Sequence, residues 1–276
     1  MPDLIDLHIH TDHSDGRQSP AEAVKIGIAL DLKAIAITDH DAVSGVDEAV
    51  ACDAGKEIEV ISGIELSASK ADDDIHILGY LFRTDDARLL EALDRFRKIR
   101  LERSKKMVER LSGLGIKIDY DEIVKLADKA PIGRPHVAEV MARHGVVSSY
   151  EEAFRDYLSL NGPVYVPKAK LTPREAIELI HNAEGVAVMA HPGLTNEDDL
   201  IEEMAYWGLD GIEIFHPTHK PAKRKRYRRL AERLGLFCTG GSDSHNRTGR
   251  YGNIGHEKVP YEYLTVMKSV WEKLRN

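Results

Sequence analysis

Histidines and carboxylates recur in this chain at the ends of short apolar segments. His8 and His10 are two residues apart, a spacing that places both rings on one side of a β-strand. Imidazole and carboxylate donors without a thiolate suit Mn, Fe or Zn ions, and a carboxylate such as Glu65 can bridge two ions. Asp15 lies in Ser14-Asp15-Gly16, which by itself is more typical of a turn.

Nine such side chains together predict a metal site. They are His8, His10, Asp15, His40, Glu65, His76, His191, Asp243 and His245. An isolated histidine pair would more often be a core or surface feature, but the repetition of these residue types at strand ends favours metal binding. Nine donors exceed the needs of one catalytic zinc ion, so we expect two or three divalent ions.

The elements that must position these residues are short apolar runs that alternate with segments of helical periodicity, a pattern typical of β/α units. The predicted strands are Leu4–Ile9, Ala34–Thr38, Val60–Glu65, Ile75–Leu78, Val186–Ala190, Ile212–Phe215 and Phe237–Gly240. Helices are predicted to begin at Ser19-Pro20 and Thr172-Pro173, where an N-cap, a first-turn proline and a capping-box glutamate coincide. In a barrel of parallel strands the carboxyl ends share one face, so the predicted ligands would converge there.

The interval between the fourth and fifth predicted strands is much longer than the others. Four segments within it have helical periodicity: Leu89–Leu114, Tyr120–Ala127, His136–His144 and Ser149–Leu158. We therefore predict an α/β fold in which a β/α barrel, residues 1–88 and 164–276, carries an all-helical insertion subdomain of residues 89–163.

Composition excludes several classes of protein. The 276 residues include 46 acidic and 38 basic side chains, a formal net charge of -8, which excludes a basic nucleic-acid coat and argues against duplex DNA binding. A hydrophobic content of 42% excludes a disordered chain. Cys52 and Cys238 fit a reducing compartment, and the sequence contains no recognisable signal peptide or membrane span, so we predict a cytoplasmic protein without membrane contacts. The oligomeric state stays open.

Five short motifs follow one another along the chain between Asp6 and His245. They are DLHIHTDHSDG, ITDHD, GIEL, AHPG and GSDSH. In this order they resemble the motifs of the PHP family, named for polymerase and histidinol phosphatase, and most closely its stand-alone metal-dependent phosphoesterases. In that subgroup a helical insertion follows a strand similar to His76–Gly79. The resemblance implies a distorted seven-stranded β/α barrel with a trinuclear metal site.

The resemblance also implies how the ligands are shared among the ions. His8, His10, Glu65 and Asp243 would hold one ion, Glu65 would bridge to a second held by His76 and His191, and Asp15, His40 and His245 would hold the third. The family chemistry is hydrolysis of phosphate esters by metal-activated hydroxide that attacks phosphorus. In this scheme His191 would be a metal ligand, and it is also predicted to be a catalytic residue. Asp39 is predicted to orient a ligand imidazole, with a strand-end cap as the alternative.

Cations that bind the substrate phosphate are expected in or near the insertion. The predicted substrate-binding residues are Arg134, His136, Lys168, Arg100 and Arg103. Arg134 follows a glycine in a loop that opens a helix, arginine can bind phosphate through two hydrogen bonds, and the related phosphoesterases have a similar Arg and His there. Arg100 and Arg103 share a helical face that a solvated surface would explain equally well. The basic run 220–229 is interpreted as the outer face of a helix.

The function predicted from these features is that of an enzyme, a metal-dependent phosphoesterase whose partner is a small phosphorylated substrate, a nucleotide or short RNA. The resemblance to the stand-alone phosphoesterases implies that it would remove the 3'-phosphate of nucleoside 3',5'-bisphosphates or trim short RNA from its 5' end. Histidinol-phosphate phosphatase is the second prediction, and the helical insertion favours the nucleotide because it would leave room for a second phosphate. A noncatalytic metal-binding accessory module is disfavoured because every ligand position is retained. A C–N hydrolase is disfavoured because no lysine occupies the identified strand ends.

Overall fold

A computed structural model describes residues 3–53, 57–70, 73–167, 171–195, 198–246 and 252–275. The strands in these ranges are β1 (Leu4–Ile9), β2 (Leu32–Ile37), β3 (Glu59–Lys70), β4 (Asp73–Tyr80), β5 (Val186–Met189), β6 (Gly211–Phe215), β7 (Phe237–Gly240) and β8 (Val259–Pro260). The bounds of β1 and β7 are those predicted, and β2 to β6 overlap their predictions. β8 was not predicted, since it is only two residues long; it pairs antiparallel with β1, so the expected seven strands become eight.

The strands form one nearly closed, barrel-like sheet in the order β7-β6-β5-β4-β3-β2-β1-β8. Beyond the end of β7, Ser244 forms a parallel bridge with Ile9 and accepts a hydrogen bond from the backbone N–H of His10 at 2.9 Å. This contact brings the chain after β7 alongside the end of β1. The motifs at the two ends of the sequence therefore meet at one rim.

The expectation that the barrel strands are parallel is wrong for β4. β4 runs antiparallel to both β3 and β5, whereas the pairs β1–β2, β2–β3, β5–β6 and β6–β7 are parallel. Because β4 is reversed, the first half of this strand lies at the rim where its neighbours end. His76, the fourth residue of β4, pairs with Ser67 of β3. A predicted ligand near the start of β4 therefore lies beside predicted ligands from the ends of the neighbouring strands.

The described helices are α1 (Pro20–Ala29), α2 (Ser44–Cys52), α3 (Ala87–Gly113), α4 (Tyr120–Ala127), α5 (Arg134–Arg143), α6 (Tyr150–Ala153), α7 (Pro173–Asn182), α8 (Asp198–Tyr206), α9 (Pro221–Leu234) and α10 (Glu262–Leu274). A π-helical segment, Phe154–Leu158, continues α6, and a 3₁₀ turn, Pro192–Leu194, follows β5. The predicted capping boxes are present: Ser19 with Glu22 begins α1, and Thr172 with Glu175 begins α7.

Two compact units make up the chain. The first comprises Met1–Glu91 and Lys170–Asn276 and contains the sheet, and the second comprises Ala92–Ala169 and is helical. Alternating apolar side chains of the strands fill the sheet unit; they include Ile5, Leu7, Leu78, Tyr80 and Val188, all fully buried. The helical unit has its own apolar core, which includes Met107, Leu111, Ile123, Val137 and Met141. Among the helices of the described ranges, none combines the length and the apolar character needed to cross a membrane.

Candidate metal centre

Glu65 lies at the centre of a group of imidazoles at the rim of the sheet. Its Oε1 is 3.0 Å from Nδ1 of His76 and 2.9 Å from Nε2 of His191. Its Oε2 is 3.0 Å from Nδ1 of His40, 3.2 Å from Nε2 of His10 and 3.5 Å from Nε2 of His8. One carboxylate, 1% exposed, thus contacts imidazoles that come from five separate positions in the sequence.

Neighbouring strands set this geometry. His40, just beyond β2, forms a parallel bridge with Glu65 of β3, and the backbone N–H of Glu65 donates to the carbonyl of Asp39 at 3.2 Å. His8 and His10 point to the same side of β1, as the period of two predicts. Adjacent strands therefore bring His8, His10, His40 and Glu65 together.

The segment after β7 adds two further predicted ligands. Asp243 Oδ1 lies 3.3 Å from Nε2 of His8 and 3.2 Å from Nε2 of His10. His245 Nε2 lies 3.2 Å from Oδ1 of Asp15. The structure therefore brings all nine predicted ligand residues to one rim.

Three groups of donor atoms in the described residues are each close enough to hold one ion, with all atoms within 4.8 Å of one another. The groups are His8, His10 and Asp243; His40, Glu65 and His76; and His10, Asp15, His40 and His245. Their membership differs from the implied sharing in two ways: His10 and His40 each belong to two groups, and Glu65, the implied bridge, belongs only to the group of His40 and His76. His191 stays within 2.9 Å of Glu65, beside the second group.

The donor set fits divalent cations. Nε2 of His8 and Nε2 of His10 are only 3.1 Å apart, and Nδ1 of His76 and Nε2 of His191 are 3.4 Å apart. Nδ1 of His10 and Nδ1 of His40 are shielded from solvent and make no hydrogen bond of good geometry to the described residues, although Nδ1 of His40 lies 3.0 Å from Oε2 of Glu65. Buried polar atoms are normally satisfied, so converging ring nitrogens of this kind are explained by a cation between them.

The electrostatics of the rim agree with this interpretation. Burial opposes ionisation of Glu65 and Asp243, but the surrounding imidazoles, first His40 for Glu65 and His8 for Asp243, hold the pKa of both carboxyls well below its usual range. Burial likewise opposes protonation of His10, but Asp243 and Glu65 outweigh it and raise its pKa to about 10. For His40 burial dominates and lowers the pKa to about 3. Ionised carboxylates are thus available as ligands, and His10 must release a proton when it binds a metal.

The described hydrogen bonds of Asp39 are made to the loop after β1. Its Oδ1 accepts hydrogen bonds from the N–H of Thr11 at 2.7 Å and the hydroxyl of Ser14 at 2.5 Å, and its Oδ2 accepts from the hydroxyl of Thr11 at 2.6 Å. These bonds fix the loop that carries Asp15. None of the contacts described for Asp39 is to a ligand imidazole, so its orienting effect acts on the Asp15 loop.

Sequence reasoning missed Glu213. This fully buried residue of β6 faces Nδ1 of His8 with Oε1 at 2.9 Å and accepts the backbone N–H of His191 with Oε2 at 2.7 Å. The signal was present, because a glutamate interrupts the otherwise apolar strand sequence GIEIF. His216, one residue after β6, places Nε2 at 3.2 Å from Oδ2 of Asp243.

The predicted substrate-binding residues belong to the helical unit where they are described. Arg134 donates to the carbonyl of Leu158 at 3.3 Å and lies over the ring of Phe154 at 5.5 Å. Nδ1 of His136 accepts the N–H of Gly133 at 3.1 Å and so caps α5.

The other three predicted phosphate-binding cations are Arg100, Arg103 and Lys168. Arg100 and Arg103 are 9% and 6% exposed, so they do not form the solvated surface considered above. Arg103 donates from Nε to the carbonyl of Val166 at 2.7 Å. Lys168 lies outside the described residues.

The basic run 220–229 lies on α9, as predicted. Several of its cations pair with acids of the same unit: Arg224 with Glu257 at 2.7 Å and Arg226 with Asp198 at 2.6 Å. These pairs support its interpretation as the outer face of a helix.

Comparison with known proteins identifies relatives of the chain. The sequence profile of the PHP domain matches residues 6–164. The chain belongs to the PHP family. It is 33% identical to a 5'-3' exoribonuclease of Haemophilus influenzae over 99% of this chain and 100% of that protein, and 31% identical to a 3',5'-nucleoside bisphosphate phosphatase of Chromobacterium violaceum over 98% and 96%. The crystal structure of a proposed metal-dependent phosphoesterase from Bifidobacterium adolescentis superposes with a TM-score of 0.89 at 30% identity, covering 98% of this chain and 97% of that one.

Proposed function

We propose that this chain is a metal-dependent phosphoesterase that hydrolyses phosphate esters of nucleotides. Its substrates in this proposal are the 3'-phosphate of nucleoside 3',5'-bisphosphates and the 5' end of short RNA. The observation that carries the proposal is the contact of the single carboxylate of Glu65 with five imidazoles at one rim. The full-length similarity to a bisphosphate phosphatase and to an exoribonuclease supports the substrate class.

The nine residues named above would hold two or three divalent ions, Mn, Fe or Zn. When bound, such ions supply Lewis acidity, which lowers the pKa of water and neutralises phosphate oxygens in the transition state. Imidazole and carboxylate ligands suit these metals, and no cysteine belongs to the donor groups of the described residues.

The residues of the chain perform the positioning. Glu65 places one oxygen beside His40 and His10 and the other beside His76 and His191, so it would help hold both sets of imidazoles in place for the ions. Asp39 holds the loop of Asp15 through three hydrogen bonds. A rim fixed in this way needs little reorganisation during the reaction, which is the main source of electrostatic catalysis. We retain His191 as a catalytic residue in this proposal.

The proposal also assigns phosphate-binding roles to five residues: Arg134, His136, Arg100, Arg103 and Lys168. A guanidinium can hold a phosphate through two parallel hydrogen bonds. An acidic protein needs such a local cation to bind an anionic substrate.

Phosphate release by the purified protein tests the proposed function. With Mn²⁺ present, we expect faster release from adenosine 3',5'-bisphosphate than from histidinol phosphate, and we expect mononucleotides from short 5'-phosphorylated RNA. EDTA should abolish both activities and excess Mn²⁺ should restore them. Preference for histidinol phosphate would favour the second prediction, and no release from any substrate by protein that binds Mn²⁺ would favour the noncatalytic module.

A further inference from the structure

Within the predicted ligand set, β6 contributes no residue, yet its central side chain touches two ligands. Glu213 is fully buried, and an isolated carboxylate in such a place would be strongly destabilising without partners. Both of its oxygens are engaged, Oε1 by Nδ1 of His8 at 2.9 Å and Oε2 by the backbone N–H of His191 at 2.7 Å. His8 belongs to β1 and His191 follows β5, so the two partners lie far apart in sequence.

The contact with His8 determines which ring nitrogen can bind a metal. An ionised carboxylate only accepts hydrogen bonds, so Nδ1 of His8 carries the hydrogen that faces Glu213. The lone pair for a metal is then on Nε2, the atom that lies 3.3 Å from Oδ1 of Asp243 and 3.5 Å from Oε2 of Glu65. A carboxylate behind a ligand imidazole fixes the tautomer and raises the basicity of the ligand.

The contact with His191 restrains the backbone. His191 has φ 28° and ψ 56°, in the left-handed region that a residue with a Cβ rarely adopts. The hydrogen bond from its N–H to Glu213 helps hold this conformation, in which its Nε2 reaches Oε1 of Glu65 at 2.9 Å. The same side chain thus controls the tautomer of one ligand and the backbone of another.

His216, at the end of β6, acts on a third ligand. Its Nδ1 accepts the backbone N–H of Thr218 at 3.2 Å, so the hydrogen of the neutral ring lies on Nε2 and is directed at Oδ2 of Asp243, 3.2 Å away. This leaves Oδ1 of Asp243 facing His8 and His10. β6 therefore provides a second layer of contacts behind the ligands of its neighbours.

We propose that Glu213 is a positioning residue that sets metal affinity by holding His8 and His191 in ligand geometry, and that His216 does the same for Asp243. The inference rests on the proposed metal centre and adds residues outside the predicted ligand set. It makes a sharp prediction for the isosteric variant Glu213→Gln. The N–H of His191 can only donate, so the amide oxygen must stay on it, and the amide NH₂ then faces Nδ1 of His8. The amide NH₂ and the N–H at Nδ1 of His8 would then be two donors facing each other. The conflict is avoided only if the ring carries its hydrogen on Nε2, and Nε2 is the atom that the metal needs.

The test is Mn²⁺ binding, measured by isothermal titration calorimetry on metal-free protein and by elemental analysis after dialysis. We expect Glu213→Gln to bind at least one Mn²⁺ with affinity weaker by about 10-fold to 100-fold, the range typical for partners behind a ligand. Activity on the bisphosphate substrate should then require correspondingly higher Mn²⁺ concentrations. Circular dichroism of the metal-free variant checks that it is folded.

The chain provides a matched control for this substitution. Asp210, immediately before β6, also joins an imidazole to a backbone N–H, since its Oδ2 is 2.8 Å from Nε2 of His181 and accepts the N–H of Ala187 at 2.8 Å. Neither partner is a predicted ligand. Asp210→Asn should therefore leave Mn²⁺ stoichiometry and affinity within about twofold of the wild type, whatever its effect on stability.

Three outcomes separate this inference from the proposed function. Wild-type protein that binds no Mn²⁺ would overturn the proposed function and this inference together. Glu213→Gln that binds Mn²⁺ as tightly as the wild type, or Asp210→Asn that weakens binding equally, would overturn the inference alone. If Glu213→Gln does not fold, ¹⁵N NMR of the Zn²⁺-loaded wild type decides: a hydrogen on Nδ1 of His8 supports the role of Glu213, and a hydrogen on Nε2 refutes it.

Discussion

Replacement of Glu65 by glutamine tests the centre of the proposed site. Glu65→Gln keeps the size of the side chain, removes its charge and leaves only one oxygen that can accept a hydrogen bond. In the wild type Oε2 faces His8, His10 and His40, and Oε1 faces His76 and His191. Whichever way the amide turns, two or three imidazoles lose their carboxylate oxygen to an NH₂ group that cannot bind a cation.

The size of the effect follows from the buried position of this carboxylate. At about 4 Å and an effective dielectric constant of about 20, a unit charge interacts with another by about 4 kcal/mol, and with a divalent ion by about 8 kcal/mol. Since about 1.4 kcal/mol corresponds to a factor of ten, we expect the affinity of Glu65→Gln for Mn²⁺ to fall by about 10³-fold to 10⁶-fold. Turnover at low micromolar Mn²⁺ should be lost with it.

Calorimetric titration with Mn²⁺ and phosphate release from adenosine 3',5'-bisphosphate measure this prediction. Glu59→Gln is the matched control, because Glu59 is the first residue of the same strand, where it contacts Lys268 at 2.5 Å and Tyr261 at 2.9 Å. The control should bind Mn²⁺ as the wild type does. Folded Glu65→Gln with the stoichiometry of the wild type and an affinity within threefold of it would refute the central role of this carboxylate.

Three further predictions concern other parts of the chain. His191→Ala and Asp243→Ala should each abolish phosphate release while circular dichroism stays that of a folded protein, and full activity in either would contradict its assignment as a ligand. Arg134→Ala should mainly raise KM in steady-state kinetics if this guanidinium binds ground state and transition state alike, and an unchanged KM would remove it from the proposed phosphate site. Tyr80→Phe removes a fully buried hydroxyl that donates to the carbonyl of Leu7 at 2.7 Å, so urea unfolding of the metal-free protein should show a loss of about 1–2 kcal/mol, and no loss would contradict this hydrogen bond.

Local patterns were sufficient for much of the secondary structure. β1 and β7 have the predicted bounds because apolar residues bounded by polar or glycine-containing segments define short buried strands. The capping boxes at Ser19 and Thr172 begin helices because side chain and backbone satisfy each other within four residues. Such signals depend on neighbours in sequence and can be read without the fold.

The direction of β4 and the existence of β8 could not be read in this way. Hydrophobic periodicity is the same in both directions along a strand, so Ile75–Leu78 gave no indication that β4 runs antiparallel to its neighbours. β8 has only two residues, too few for any periodic signal, and it forms because the edge of β1 offers unpaired backbone groups.

The sequence by itself determined the types of the candidate ligand residues, their order along the chain and the family to which the chain belongs, because these depend on residue identity and spacing. Only the tertiary structure decided that five imidazoles meet at Glu65, that His76 reaches the rim from a reversed strand, and that Glu213 joins His8 to His191. These contacts link residues far apart in sequence. Strand order and register determine which of these residues meet, and both arise only when the whole sheet forms. They produce no local pattern in the sequence.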